Sequence, residues 1–191
     1  GGAENFQRAG AILKDIADSN PKHALRNAEY AEFAYLQGKS TEAEVYYNRA
    51  LSQSDIDRFK RVEWKLKIAD IYHERGVLSK SVDVYWNTID LIQDLPSDCL
   101  ATSLLLIMTD INLSTVLIEM ANLFKAEGQA KDEKEMYKEA CFFLEQAKDL
   151  FEAFKDDLSD FNQTYIACCA NLLIVYRNLG YTKRERQIMQ V

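Results

Sequence analysis

The 191-residue sequence contains only seven glycines and two prolines. An all-β chain needs turn residues every ~8–12 positions, so this shortage of breakers excludes that class and points to long helices. Histidine is as scarce as proline, with two. His23 and His73 stand in no HxxxH, HExxH or Cys/His spacing that would hold zinc. The internal glycines stand singly, which excludes a glycine-rich phosphate loop, and there is no GxSxG elbow. Cys99, Cys141, Cys168 and Cys169 form neither a CxxC pair nor a secreted disulfide framework. They read as small apolar side chains in a reducing compartment, cytoplasmic or nuclear.

A basic surplus is also missing. The net charge of −7 disfavours a chain that grips nucleic acid, because phosphate contacts require Lys and Arg in excess. Lys183, Arg184 and Arg186 cluster near the end, but Glu185 interrupts them, and they read as a solvated helix face. The longest apolar run, CLATSLLLIM, stops at Met108 before Asp110, Asn112 and Glu119. It falls short of the ~20 residues of a membrane span and reads as a core helix. The start, GGAENFQRAG, lacks the apolar centre of a secretory leader. Hydrophobic and charged shares of 48% and 28% are ordinary for a globular protein.

What is present is a set of columns. Gly38, Gly76, Gly128 and Gly180 each end an amphipathic stretch. Seven residues before them stand Ala31, Ala69, Ala121 and Leu173, and four before stand Ala34, Tyr72, Phe124 and Tyr176. Nine after stand Tyr47, Tyr85, Tyr137 and Met189, and twelve after the first three stand Ala50, Thr88 and Ala140. Small residues let two helix axes approach, aromatics fill the space one turn away, and glycine ends the first helix in a conformation other residues resist. Each helical pair leaves an apolar face that only another pair can cover, so copies stack.

The spacing predicts helices over 4–18, 22–37, 40–53, 55–75, 78–94, 98–127, 130–156, 159–179 and 182–190. Ser54, Ser97 and Ser159 are expected N-caps, Pro21 parts the first two helices, and Leu95-Pro96 ends the fifth. A kink is expected in the sixth between Thr109 and Asn112.

The pattern from Ala31 through Ala34, Gly38, Ala43, Tyr47 and Ala50 to Leu51 resembles the tetratricopeptide repeat (TPR). A second copy runs Ala69, Tyr72, Gly76, Ser81, Tyr85, Thr88, Ile89, and a third keeps Ala121, Phe124, Gly128, Tyr137 and Ala140 with Glu133 in a small position. A fourth keeps its first helix. The glycines lie 38, 52 and 52 residues apart, longer than the ~34 of a TPR, so the helices must be extended. The resemblance implies an all-α, right-handed solenoid of antiparallel hairpins, a single domain over 1–191. Its repeats would fall at 22–54, 55–96, 98–157 and 159–191. Residues 4–18 would supply the second helix of an earlier repeat, and the whole would be a piece of a longer array.

The resemblance also implies a groove, lined ten, six and three residues before each glycine. Those positions hold Ala28, Glu32, Tyr35; Leu66, Asp70, His73; Ile118, Asn122, Lys125; and Ala170, Ile174, Arg177. The TPRs that clamp a terminal carboxylate place lysine and asparagine where this chain has Ala28 and Glu32, so that mode is disfavoured. The groove runs instead from acidic (Glu32, Asp70) to basic (Lys125, Arg177), suited to an amphipathic partner segment. The expected role is a protein–protein interaction module, scaffold or adaptor, with no enzyme activity, cofactor, metal, nucleic acid or membrane. Alternatives are a peptide-responsive regulator, the helical arm of an enzyme complex, and a self-associating module.

Overall fold

A computed structural model describes residues 2–97 and 99–189. Along them run α1 (Gly2–Ser19), α2 (Ala24–Leu36), α3 (Ser40–Leu51), α4 (Arg58–Glu74) and α5 (Leu78–Gln93). They continue with α6 (Leu100–Ala126), α7 (Ala130–Ala153), α8 (Asn162–Leu179) and α9 (Thr182–Ile188). The fold is all-α, with no strand among the described residues. It forms two compact units, Gly1–Val84 and Tyr85–Val191, divided within α5.

The glycine column is a column of identical turns. Gly38, Gly76, Gly128 and Gly180 have φ of 72°, 69°, 74° and 72°. At the first, the Gly38 N–H donates to Tyr35 O (2.8 Å) and the Lys39 N–H to Ala34 O (2.9 Å). Val77 to Tyr72, Gln129 to Phe124 and Tyr181 to Tyr176 repeat the second bond. This paired closure needs a left-handed residue just past the helix, which costs an L side chain about 1–2 kcal/mol and glycine almost nothing.

In the first unit α2 packs against α1 and α3, and α3 against α4. Ala31, Ala34, Ala43 and Ala50 are fully buried between them, with Tyr30, Tyr46 and Tyr47 filling the turns alongside. Ser81 Oγ donates to Ala69 O (2.9 Å) and ties the start of α5 to α4. Buried Asn27 donates to the carbonyls of Asn20, Pro21 and His23, fixing the α1–α2 turn. In the second unit α6 and α7 form the long hairpin, α8 packs on α7, and α9 on α8. Ile107, Leu113, Leu117, Ala121, Tyr137, Ala140, Leu144 and Leu172 make its core.

Several helix ends differ from expectation. Asp57, not Ser54, caps α4: its carboxylate accepts from Lys60 N–H (3.1 Å), and a charged acceptor suits the positive end of a helix better than a hydroxyl. Cys99, not Ser97, precedes α6 and gives no side-chain cap. Asp98, where that helix was expected to begin, lies outside the described residues. Ser159 opens a 3-10 turn, Ser159–Phe161, and α8 starts three residues later at Asn162. The α7 helix ends at Ala153, where Leu158 and Asp157 N–H groups fold back onto Phe154 O. Residue 190, the expected end of α9, lies outside the described residues.

The α6 helix is continuous through Thr109–Asn112, and the hydroxyls of Thr109, Ser114 and Thr115 bond the carbonyls one turn back. By length and composition α6 is apolar enough to cross a membrane, but 61% of its most apolar window is buried inside the protein. Such burial is that of a core helix.

Candidate functional site

The first unit presents a hollow between α2 and α4. Four residues of α2, Leu25, Ala28, Glu29 and Glu32, line it together with Lys60, Glu63, Trp64 and Lys67 of α4. Both sets follow the i, i+3, i+4, i+7 spacing of a single helix face, so each helix gives one stripe. Leu13 of α1 and Tyr47 of α3 complete a space of about 540 Å³. It adjoins a second hollow of about 720 Å³, which shares Leu25, Trp64 and Lys60 and is extended by the loops carrying His23 and Ile56.

The floor is apolar and the rim is charged. Leu25 is 48% exposed while Trp64 is 8% exposed, so an open leucine and a packed indole line the same space. The rim charges are paired along or across the helices: Arg26 with Glu29 (2.9 Å), Lys60 with Glu63 (2.7 Å), and Lys67 with Glu32 (3.6 Å). Exposed pairs of this kind contribute little to stability. They are available to exchange partners with an incoming segment.

Six of the expected groove residues lie in this unit, and of these Ala28 and Glu32 line the hollow. Glu32 lines the hollow and accepts from the Tyr47 hydroxyl, which passes under it from α3. Tyr35 donates to Glu74, and Lys67 Nζ stands 5.5 Å over its ring. Burial, then the Glu74 carboxylate, raises the Tyr35 phenol well above its ordinary value. Leu66, Asp70 and His73 are half-buried further along α4 and do not line the hollow. The other six lie in the second unit, and the three polar ones are engaged internally. Asn122 accepts from Tyr137 (2.8 Å), Lys125 lies 3.6 Å from Glu133 and 3.1 Å from Asn178, and Arg177 pairs with Glu185 (2.7 Å).

Sequence reasoning missed Leu25, Lys60, Glu63, Trp64 and Lys67. The signal was present as the matching helical stripes, and Trp64 is one of only two tryptophans. The α2 stripe includes the expected Ala28 and Glu32, whereas the α4 stripe is centred further from its glycine than the expected Leu66, Asp70 and His73.

No protein-family model and no curated protein matches the sequence. Among solved structures, a kinesin light chain-like protein of Podosopora anserina with nearly identical TPR-like repeats superposes with a TM-score of 0.63. It is 15% identical, over 98% of this chain and 85% of that one. A variant of the same protein gives 0.64 with the same identity and coverage. The chain has a TPR-like helical-repeat fold. The shared feature is the stacking of antiparallel hairpins, which carries over at an identity too low to carry a ligand. The hollow lies between α2 and α4, the two helices that run into the turns at Gly38 and Gly76.

Proposed function

We propose that this TPR-like chain is a protein-interaction module that seats an amphipathic partner segment in the hollow between α2 and α4. The observation that supports it is one hollow lined by exposed Leu25 and buried Trp64 and flanked by Glu29, Glu32, Lys60, Glu63 and Lys67. An apolar anchor over Leu25 would exclude water, while basic and acidic groups beside it pair with Glu29 or Glu63 and with Lys60 or Lys67. The four free cysteines support placing it in a reducing compartment, cytoplasmic or nuclear.

The test is a displayed-peptide selection on the intact chain, followed by affinity measurement of the selected peptides on two variants. Leu25→Asp should weaken them at least tenfold, and Phe142→Ser, on the exposed face of α7, should leave them unchanged. Peptides that bind Leu25→Asp as well as the parent chain would remove the hollow from consideration.

A further inference from the structure

Asp110 is the one carboxylate buried among the described residues, with no exposed surface, and neither of its side-chain oxygens has a hydrogen-bond partner. It sits midway along α6, in the second unit. One turn further on, the Ser114 hydroxyl donates to Asp110 O (2.6 Å) and lies 3.2 Å from Ala140 O, so this face of α6 is pressed against α7. There α7 supplies Ala140, Leu144 and Ala147, all fully buried and none able to accept or donate through its side chain. From α8 comes Cys168, also fully buried, whose thiol donates to Leu144 O (3.4 Å).

The groups that bear on this site are few. Cys168 is the titratable group coupled to Asp110, and burial pushes its thiol up to about 12, so it stays neutral. The α7 cation that acts on Cys168 is Lys148, but its Nζ is 2.5 Å from Glu152. Among the described residues no cation compensates the carboxyl, and burial pushes Asp110 up to about 8.

We propose that the second unit folds with Asp110 protonated, so that packing α6 against α7 and α8 is a proton-linked switch that loosens as the solution becomes alkaline. An unfolded aspartate ionises near ~3.9, whereas the folded one keeps its proton to about 8. Between those values the unfolded chain binds one proton fewer, so the unfolding constant rises about tenfold per pH unit. Above the upper value both states are ionised at this position and the rise stops.

The experiment uses the full chain with Trp64→Phe, which leaves Trp86 of the second unit as its only indole. Urea unfolding is followed by Trp86 fluorescence from pH 5 to pH 9, with and without Asp110→Asn. The ratio of the two unfolding constants should climb about tenfold per pH unit up to about pH 8 and then level off. A ratio that does not change with pH overturns the proposal. Should Asp110→Asn fail to fold, the ¹³C resonance of the Asp110 carboxyl in the parent chain decides: titration near 8 supports the switch, and a carboxyl already ionised at pH 6 ends it.

Discussion

Tyr137, carried on α7, donates a 2.8 Å hydrogen bond to Asn122 Oδ1 on α6, and Tyr47 on α3 makes the equivalent bond to Glu32 on α2. In each hairpin the tyrosine stands nine residues after the turn glycine and its acceptor six before it. The ring fills the gap beside the alanine contacts, and in the first hairpin the hydroxyl reaches Glu32, which lines the α2–α4 hollow. One residue thus serves both packing and the positioning of a surface group.

Removing only the hydroxyls tests this double role. Tyr137→Phe and Tyr47→Phe should each cost about 1 kcal/mol, the net worth of one hydrogen bond, because Asn122 and Glu32 retain access to water. Truncation to alanine should cost about 3–5 kcal/mol through the cavity left by a buried ring. Urea denaturation of the four variants distinguishes the two cases; equal losses for Phe and Ala would refute the assignment of the energy to the ring.

Gly38→Ala isolates the backbone contribution of a turn. A Cβ added at Gly38 meets nothing within 4 Å, so the penalty is conformational and should be about 1 kcal/mol. Gly10→Ala is a different perturbation, since its Cβ would stand 2.3 Å from the Phe33 ring, itself 4.8 Å from Phe6. Thermal melts should show a modest loss for Gly38→Ala, and the Phe6–Phe33 contact in NMR spectra should be lost for Gly10→Ala only.

The docking of α1 on α3 should depend on pH in a defined window. Lys14 pairs with Glu42 at 2.5 Å, and Asp18 accepts from Tyr46 (2.6 Å) and Arg49 (3.0 Å). The hydrogen bond from Lys14 holds the Glu42 carboxyl below its ordinary range, and those from Tyr46 and then Arg49 do the same for Asp18. Their contribution is present above the unfolded values near ~4 and is lost as pH falls through the lower folded ones. Lys14, raised by Glu42, loses its share only as pH rises beyond the ordinary lysine range. These groups are partly exposed, so each contributes no more than about 1 kcal/mol. Protection factors of the α1 amides, corrected for the intrinsic exchange rate at each pH, should fall below about pH 4, and Glu42→Gln with Asp18→Asn should remove most of that acid response.

The hairpin repeat was legible in the sequence because its signals are local. Glycine at a left-handed position, alanine seven residues before it and tyrosine nine after are set by one turn and two helices, and they fall within about twenty residues of one another. The binding face was much less legible. Glu32, Lys125 and Arg177 looked like free charges, yet each has an internal partner in Lys67, Glu133 or Glu185. Lys67 and Glu32 stand on different helices, and linear spacing carries no record of that distance. Ser54 offered a cap by type, but Asp57 took the place where α4 begins.

The sequence by itself determined where this chain must turn and which faces of its helices must be buried, because φ at glycine and helical periodicity are properties of short segments. Only the tertiary structure decided which charges pair, that Leu25 stays open in a hollow it shares with buried Trp64, and that the Asp110 carboxyl is enclosed without a hydrogen-bond partner. Those outcomes depend on what a neighbouring helix places opposite each residue. Desolvation and hydrogen bonding act across space between helices, not along the chain.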